Sequence, residues 1–398
     1  MSALMVSEPT GKASGTTPVP EMAQLAKLIM KMGPDIDLIA RMSGQYKETI
    51  RYRYKEKILS RGLALHGRLN FQGLGLQRIT LKVRLGESYE QYAKELSIAM
   101  NKVCYVTSLS SLMPEGSYLI EATVPRQFKA QFIELMTKVK DLGIFTSLET
   151  YSFDWFRNVP MRAEFYDFEH GVWEFNWNKP VEHGKDDHES GFAPFEFDKI
   201  DLLLMKELQV DATRSLSDIR EAIKQKDGMD INYKTLAWHW IRHVQEKDMV
   251  RGYTLRWMGT RYDPKTAHFE HRPHRYIIVT VLVKGVNETE RLALNAEMNK
   301  VPFIWSEAAG EDYYAQFAFP VEMVNDAFLF LKSAISPYGV RAEYHVIDQM
   351  NSVSFTISYS MFDGAEKKWT FNTGEILARF QSLIMKIGEG SGQSRNWQ

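Results

Sequence analysis

The chain repeats itself. Met100-Asn101-Lys102-Val103 returns as Met298-Asn299-Lys300-Val301, an offset of 298 − 100 = 198. Trp173-Glu174-Phe175-Asn176 returns as Trp369-Thr370-Phe371-Asn372, an offset of 369 − 173 = 196. Between them Val124-Pro125 recurs as Phe319-Pro320 and Gly143-Ile144 as Gly339-Val340, in the same order. Ordered matches at a nearly constant offset mark an internal duplication, so the fold has to be assembled from two similar halves. Residues 179–195, centred on Glu182-His183-Gly184-Lys185-Asp186-Asp187-His188-Glu189, are polar and lack apolar periodicity, as a linker does. The halves are therefore expected to pair within one chain as a pseudo-dimer, with whole chains associating further into homo-oligomers.

Composition narrows the function classes. Lys and Arg number 49 against 50 Asp and Glu, so the chain is neither a polybasic nucleic-acid coat nor an acidic solvating segment. Its single cysteine, Cys104, allows no internal disulfide and no thiolate zinc site, which suits a reducing, cytoplasmic compartment. No apolar run approaches the roughly 20 residues of a membrane-spanning helix. Residues 1–19 have neither the basic start nor the apolar stretch of a secretion signal and read as a flexible tail.

Each half divides in two. Apolar residues at helical spacing predict helices over Glu21–Met32, Asp35–Met42 and Tyr46–Ser60, the last with Ile50, Tyr54 and Ile58 inward and Gly62 as terminator. The second half repeats the plan with Phe197–Val210, Leu216–Ile223 and a helix beginning near Tyr233. Two short helices across a tight turn, the second polar and basic, describe a helix-turn-helix. Alternating patterns then give β-α-β-β-α-β over residues 78–153 and again over 274–347. The predicted fold is α+β. Winged helix-turn-helix domains (20–74 and 196–262) alternate with ferredoxin-like βαββαβ domains (75–178 and 263–373), and 374–398 adds a C-terminal helix and tail. The partner half's sheet is the expected cover for each exposed sheet face. Aromatic segments Phe165–Trp177 and Phe355–Phe371 predict hairpins at the sheet edges.

Asp198-Lys199-Ile200-Asp201, Leu204, Leu208, Asp211-Ala212, Arg214 and Leu216-Ser217-Asp218-Ile219 resemble the opening of the Lrp/AsnC transcription regulators. The first half resembles it through Ile39-Ala40, Gly44, Thr49-Ile50, Arg53 and Gly62. The resemblance implies a cytoplasmic, sequence-specific regulator of double-stranded DNA, binding a pseudo-palindromic site, with an effector and oligomerisation domain. Family members carry Gly-x-x-Asp near an amino-acid effector; the second half has the tighter Gly310-Glu311-Asp312, and the first has Glu115-Gly116-Ser117 without an Asp.

The expected DNA contacts follow from charge and position. Gln45, Lys47 and Arg51 begin the third helix of the first half, and Arg53, Lys55, Lys57 and Arg61 extend its basic face. The second half offers Asn232, Lys234, Thr235, His239 and Arg242, beside Trp238, Trp240 and His243. Arg68, Arg251 and Arg256 fall where wings are expected. His183 and His188 with Asp186 and Asp187, and His268, His271 and His274, lie in expected loops, where histidines are solvated; no metal is expected. No nucleophile elbow, P-loop or dinucleotide fingerprint occurs, so neither an enzyme nor a cofactor is expected. An alternative comes by analogy. Siroheme decarboxylases combine the same two modules and hold a tetrapyrrole with basic and histidine side chains, and His271, Arg272, His274 and Arg275 would serve here. A third reading makes the helical units docking surfaces for protein or small ligands.

Overall fold

The computed structural model describes residues 21–181, 194–257, 260–263, 268–271 and 276–389. The first half opens with α1 (Glu21–Met32), α2 (Ile36–Ser43) and α3 (Lys47–Tyr52), then β1 (Ala64–Leu69). Asp35 caps α2 by accepting from the backbone N–H of Leu38, and Gly44 ends it in the left-handed region. The single helix expected over Tyr46–Ser60 is instead three windings: α3, a π-helical stretch at Arg53–Ile58 and a 3-10 turn at Leu59–Arg61. Ile50, Tyr54 and Ile58 are nevertheless all buried.

The chain continues through β2 (Leu76–Leu85), α4 (Glu87–Glu90), α5 (Ala93–Val103), β3 (Val106–Met113), β4 (Ser117–Pro125), α6 (Lys129–Asp141) and β5 (Phe145–Asn158), to a small hairpin of β6 (Tyr166–Asp167) and β7 (Val172–Trp173). The second half begins with α7 (Lys199–Val210), α8 (Leu216–Asp227) and α9 (Tyr233–His239), which runs into a π-helical stretch at Trp240–Gln245. Strands β8 (Val250–Arg256), β9 (Thr260–Asp263) and β10 (His268–His271) follow. The second βαββαβ run is β11 (Tyr276–Val283), α10 (Glu288–Met298), β12 (Ile304–Gly310), β13 (Tyr313–Pro320), α11 (Val324–Ile335) and β14 (Ala342–Ser354). A hairpin of β15 (Phe362–Asp363) and β16 (Lys368–Trp369) and the long α12 (Thr373–Glu389) complete the chain.

The sheets of the two halves do not stack as separate layers. They join edge to edge into one closed barrel, in the order β11-β13-β12-β5-β2-β4-β3-β14. A free edge strand leaves a row of backbone donors and acceptors bare, and closure removes every such edge. One seam pairs Ala308 of β12 with Phe156 of β5, the other Ile347 of β14 with Leu112 of β3. Alternate residues of β2 split between two environments. Ile79, Leu81 and Val83 join the apolar core with Leu96, Met100 and Phe132, while Arg78 and Thr80 turn into the barrel. There Arg78 lies 3.3 Å from Glu121, donates to Ser306 Oγ at 2.9 Å and sits 4.5 Å from the Phe156 ring centre. Tyr314 donates to the same Glu121 at 2.7 Å. Both halves contribute polar and aromatic groups to the lumen.

Exchange extends beyond the barrel. β1 of the first half pairs antiparallel with β8 of the second, His66 opposite Thr254, so the wings are spent on each other. α7 packs on β1 and α1 on β8. The aromatic hairpins also cross over: Trp173 meets Trp257 and Phe303, and Trp369 meets Tyr105 and donates to the Leu74 carbonyl. α12 lies against α5 and α6 of the first half. Both apolar cores therefore draw on both halves. Among the described residues no helix is long and apolar enough to cross a membrane.

Candidate active site

Four of the residues expected to read DNA are paired with carboxylates of their own helical units. Lys47 pairs with Asp37 at 2.6 Å, Arg51 with Glu48, and Arg53 with Glu21, while Gln45 bridges Glu21 and Arg53. Arg61 donates to the Glu169 carbonyl. Lys55 is exposed and Lys57 half-buried on the π-helical stretch. In the second half Asn232 caps α9 through Lys234 N, Lys234 and Thr235 are exposed, and Arg242 pairs with Glu246 at 3.0 Å. His239 is buried against Asp201 and faces no groove. Of the wing arginines, Arg68 donates to the Asn158 carbonyl at 2.9 Å.

The Gly310-Glu311-Asp312 turn is engaged structurally. Asp312 accepts from the backbone N–H groups of Ser152 at 2.8 Å and Gly285 at 3.0 Å, and Glu311 pairs with Lys129. A Cβ on Gly310 would lie 2.5 Å from Asp154 N and 2.9 Å from Phe153 Cα, so the β12–β5 seam needs glycine there. Gly310→Ala is expected to lower stability by about 1–3 kcal/mol, the range for overpacking, measurable by urea unfolding. Of the residues proposed for a tetrapyrrole, His271 ends β10, and Arg272, His274 and Arg275 lie outside the described residues, as do His183 and His188.

Two buried polar atoms without hydrogen-bond partners, His66 Nε2 and Trp305 Nε1, share one site, where both wings meet the barrel mouth. A cavity of about 60 Å³ is lined by His66 and Gly67 of β1, Asn158 and Val159, Gln209 of α7, Thr254, Leu255 and Arg256 of β8, Trp257 and Trp305. The register that puts Ala64 opposite Arg256 and His66 opposite Thr254 brings these side chains together. His66 Nδ1 donates to the Gln209 carbonyl at 2.9 Å, so the neutral ring presents Nε2 as an acceptor; that atom is buried and without a partner. Burial, reinforced by the Arg256 charge, pulls His66 down to about 4.

Arg256 rests its guanidinium over the Trp305 ring, 5.0 Å from its centre, and has no carboxylate partner among the described residues. Burial lowers it to about 10, which leaves it charged at neutral pH. Trp305 Nε1 is a buried donor without an acceptor. A cation without a carboxylate partner among the described residues, a buried N–H donor and a buried imidazole nitrogen thus share one cavity. A larger cleft of about 200 Å³, between Phe175, Trp177, Glu297, Lys300 and Phe330, is lined by none of these unsatisfied groups.

Sequence reasoning assigned Arg256 to a wing and passed over His66, Gln209 and Trp305. One signal was available: His66 is a lone ionisable ring in the run Leu63-Ala64-Leu65-His66. Its pairing with residues 143 and more positions away was not legible.

No protein-family model matches the sequence, and neither does any curated protein. Among solved structures, the chain is similar to the siroheme decarboxylase NirDL, with 8% identity and a TM-score of 0.51, over 91% of this chain and 100% of that one. NirDL in complex with an iron-uroporphyrin III analogue gives 7% identity and a TM-score of 0.48, over 93% and 99%. E. coli AsnC is matched over 34% of this chain and 90% of its own, at 17% identity and a TM-score of 0.26. The expectation of a DNA-binding regulator that is not an enzyme is thereby corrected. A solved structure that shares the fold over nearly the full length of both chains is that of an enzyme. In the helices expected to read DNA, Lys47, Arg51, Arg53 and Arg242 are paired with carboxylates, and the expected wings are paired with each other.

Proposed function

We propose that this chain is an enzyme of the siroheme-decarboxylase type. It would be built from two helix-turn-helix units and two ferredoxin-like units, and would act on a carboxyl group of a tetrapyrrole. The observation that carries the proposal is the convergence of unpaired Arg256, Trp305 Nε1 and His66 Nε2 on one cavity. Its volume is far below the roughly 300–1,000 Å³ of a site that encloses a whole small molecule, so it receives one acidic arm and leaves the macrocycle outside.

In this reading Arg256 fixes the carboxylate and the indole N–H donates to one of its oxygens. The incoming negative charge raises His66 from its depressed value, and the ring takes up a proton at Nε2. Cleavage of the bond to the carboxyl carbon releases CO₂ and leaves the electron pair on the arm. That carbon then takes the Nε2 proton, and His66 returns to its neutral form.

The test is an absorption titration of the full chain with an iron uroporphyrin. Arg256→Met is expected to weaken binding about 30-fold or more, since removing one partner of a buried charge pair costs about 2 kcal/mol or more. Trp305→Phe is expected to weaken it about tenfold, one hydrogen bond to a charged group. Equal affinity in wild type and Arg256→Met would remove the cavity from the reading.

A further inference from the structure

A second cluster of ionisable groups stands apart from the junction cavity, at the start of α7. Asp201 is fully buried, and its carboxylate is approached from three sides. The Asp198 backbone N–H donates to Oδ2 at 3.0 Å; His239 Nδ1 lies 2.8 Å from Oδ1, and His243 Nδ1 lies 2.8 Å from Oδ2. The histidines are four residues apart, at the end of α9 and in the π-helical stretch that follows, and both aim the same ring nitrogen inward. One potential ligand atom from each of the three residues, a carboxylate oxygen and a nitrogen of each ring, lies within 4.8 Å of the other two. Asp198 Oδ1, 3.7 Å from His239 Nδ1, adds a further oxygen at the rim.

The first half joins its equivalent helices differently. There Arg53 of the π-helical stretch pairs with Glu21 at the start of α1, a fixed salt bridge whose cation has no lone pair to offer. Only the second half places two imidazoles and a carboxylate at this crossing. Two nitrogens and a carboxylate oxygen suit zinc and neighbouring first-row divalent ions, whereas calcium and magnesium prefer oxygen alone.

We propose that Asp201, His239 and His243 bind one divalent transition-metal ion that clamps α7 to α9. Each neutral ring moves its proton from Nδ1 to Nε2 and turns the freed Nδ1 lone pair to the metal, so no net proton is lost. A ring that is protonated beforehand releases one proton on binding, so affinity falls as the pH drops. The ligand atoms separate by a few tenths of an ångström from hydrogen-bond distance to span metal bonds of about 2.0–2.2 Å. Trp238, with its ring centre 5.0 Å from that of His239 and 4.7 Å from that of His243, stands beside the ion and reports its arrival.

The experiment uses the full chain stripped with a chelator, then titrated with Co²⁺ by visible absorption and with Zn²⁺ by calorimetry. One equivalent per chain is expected, with quenching of tryptophan fluorescence by Co²⁺ and a Tm that rises with Zn²⁺ concentration. His243→Gln and the double variant His239→Gln/His243→Gln are expected to bind roughly 100-fold more weakly and to lose the Tm response. A variant lacking His183, His188, His268 and His271 is expected to bind as wild type does. His243 is partly exposed, so His243→Gln decides the matter if the double variant fails to fold. Stoichiometric binding that survives His243→Gln, or no binding by wild type, would overturn the proposal.

Discussion

Replacing Arg157 by methionine is expected to lower stability by about 3–5 kcal/mol, the cost of leaving a buried carboxylate without its cation. Arg157 on β5 reaches across one barrel seam to Glu307 on β12, donating from Nε at 3.1 Å and Nη2 at 2.8 Å. Glu307 is fully buried and also accepts from Asn295 at 2.6 Å and the Tyr313 hydroxyl at 2.7 Å. Burial, followed by the Glu307 charge, holds the Tyr313 hydroxyl well above its ordinary range, so that proton stays in place at any physiological pH. The double variant Arg157→Met/Glu307→Gln should recover much of the loss, because the uncompensated charge goes with it. Urea unfolding of the four proteins measures the coupling. Additive losses would mean that the two residues do not hold the seam together.

The second large effect is on pH dependence. His66 titrates near 4 in the folded chain against an ordinary 6.5, because burial and then the Arg256 charge disfavour its protonated form. As pH falls below 6.5 the unfolded chain takes up this proton before the folded one does. The stability tied to the neutral ring is therefore complete above pH 6.5, declines as the pH falls towards 4 and is gone below it. Integrated over that window, 6.5 − 4 = 2.5 units, the loss is about 3 kcal/mol. His66→Phe should flatten the stability profile between pH 6.5 and 4, measured by urea unfolding at several pH values. An unchanged slope would show that His66 exchanges no proton on unfolding.

The order of elements and most buried positions follow from periodicity. Ile50, Tyr54 and Ile58, and Leu236 and Val244, are buried where helical spacing puts them, whereas Trp240, at the same spacing, is half-buried against the core. What periodicity cannot convey is partnership between distant segments. The alternation in β2 fixes two faces, and Arg78 is a barrel residue only because β12 and β13 supply Ser306 and Tyr314 from the other half. The first half's third helix carries a basic face in its sequence. Its meaning changed because Asp37, Glu48 and Glu21 stand within reach in the folded unit. The candidate site was hidden for the same reason: His66, Gln209, Arg256 and Trp305 come from four elements and converge only after the wings have paired.

Incubating the full chain with a tetrapyrrole bearing acetate and propionate arms, and following its mass, shows whether the junction cavity acts on a carboxyl group. Wild type is expected to release CO₂ stepwise, and His66→Phe and Arg256→Met to release none, with the folded state of each variant verified by circular dichroism. A tetrapyrrole recovered with every carboxyl group intact, or processed equally by wild type and both variants, would contradict this role for the cavity.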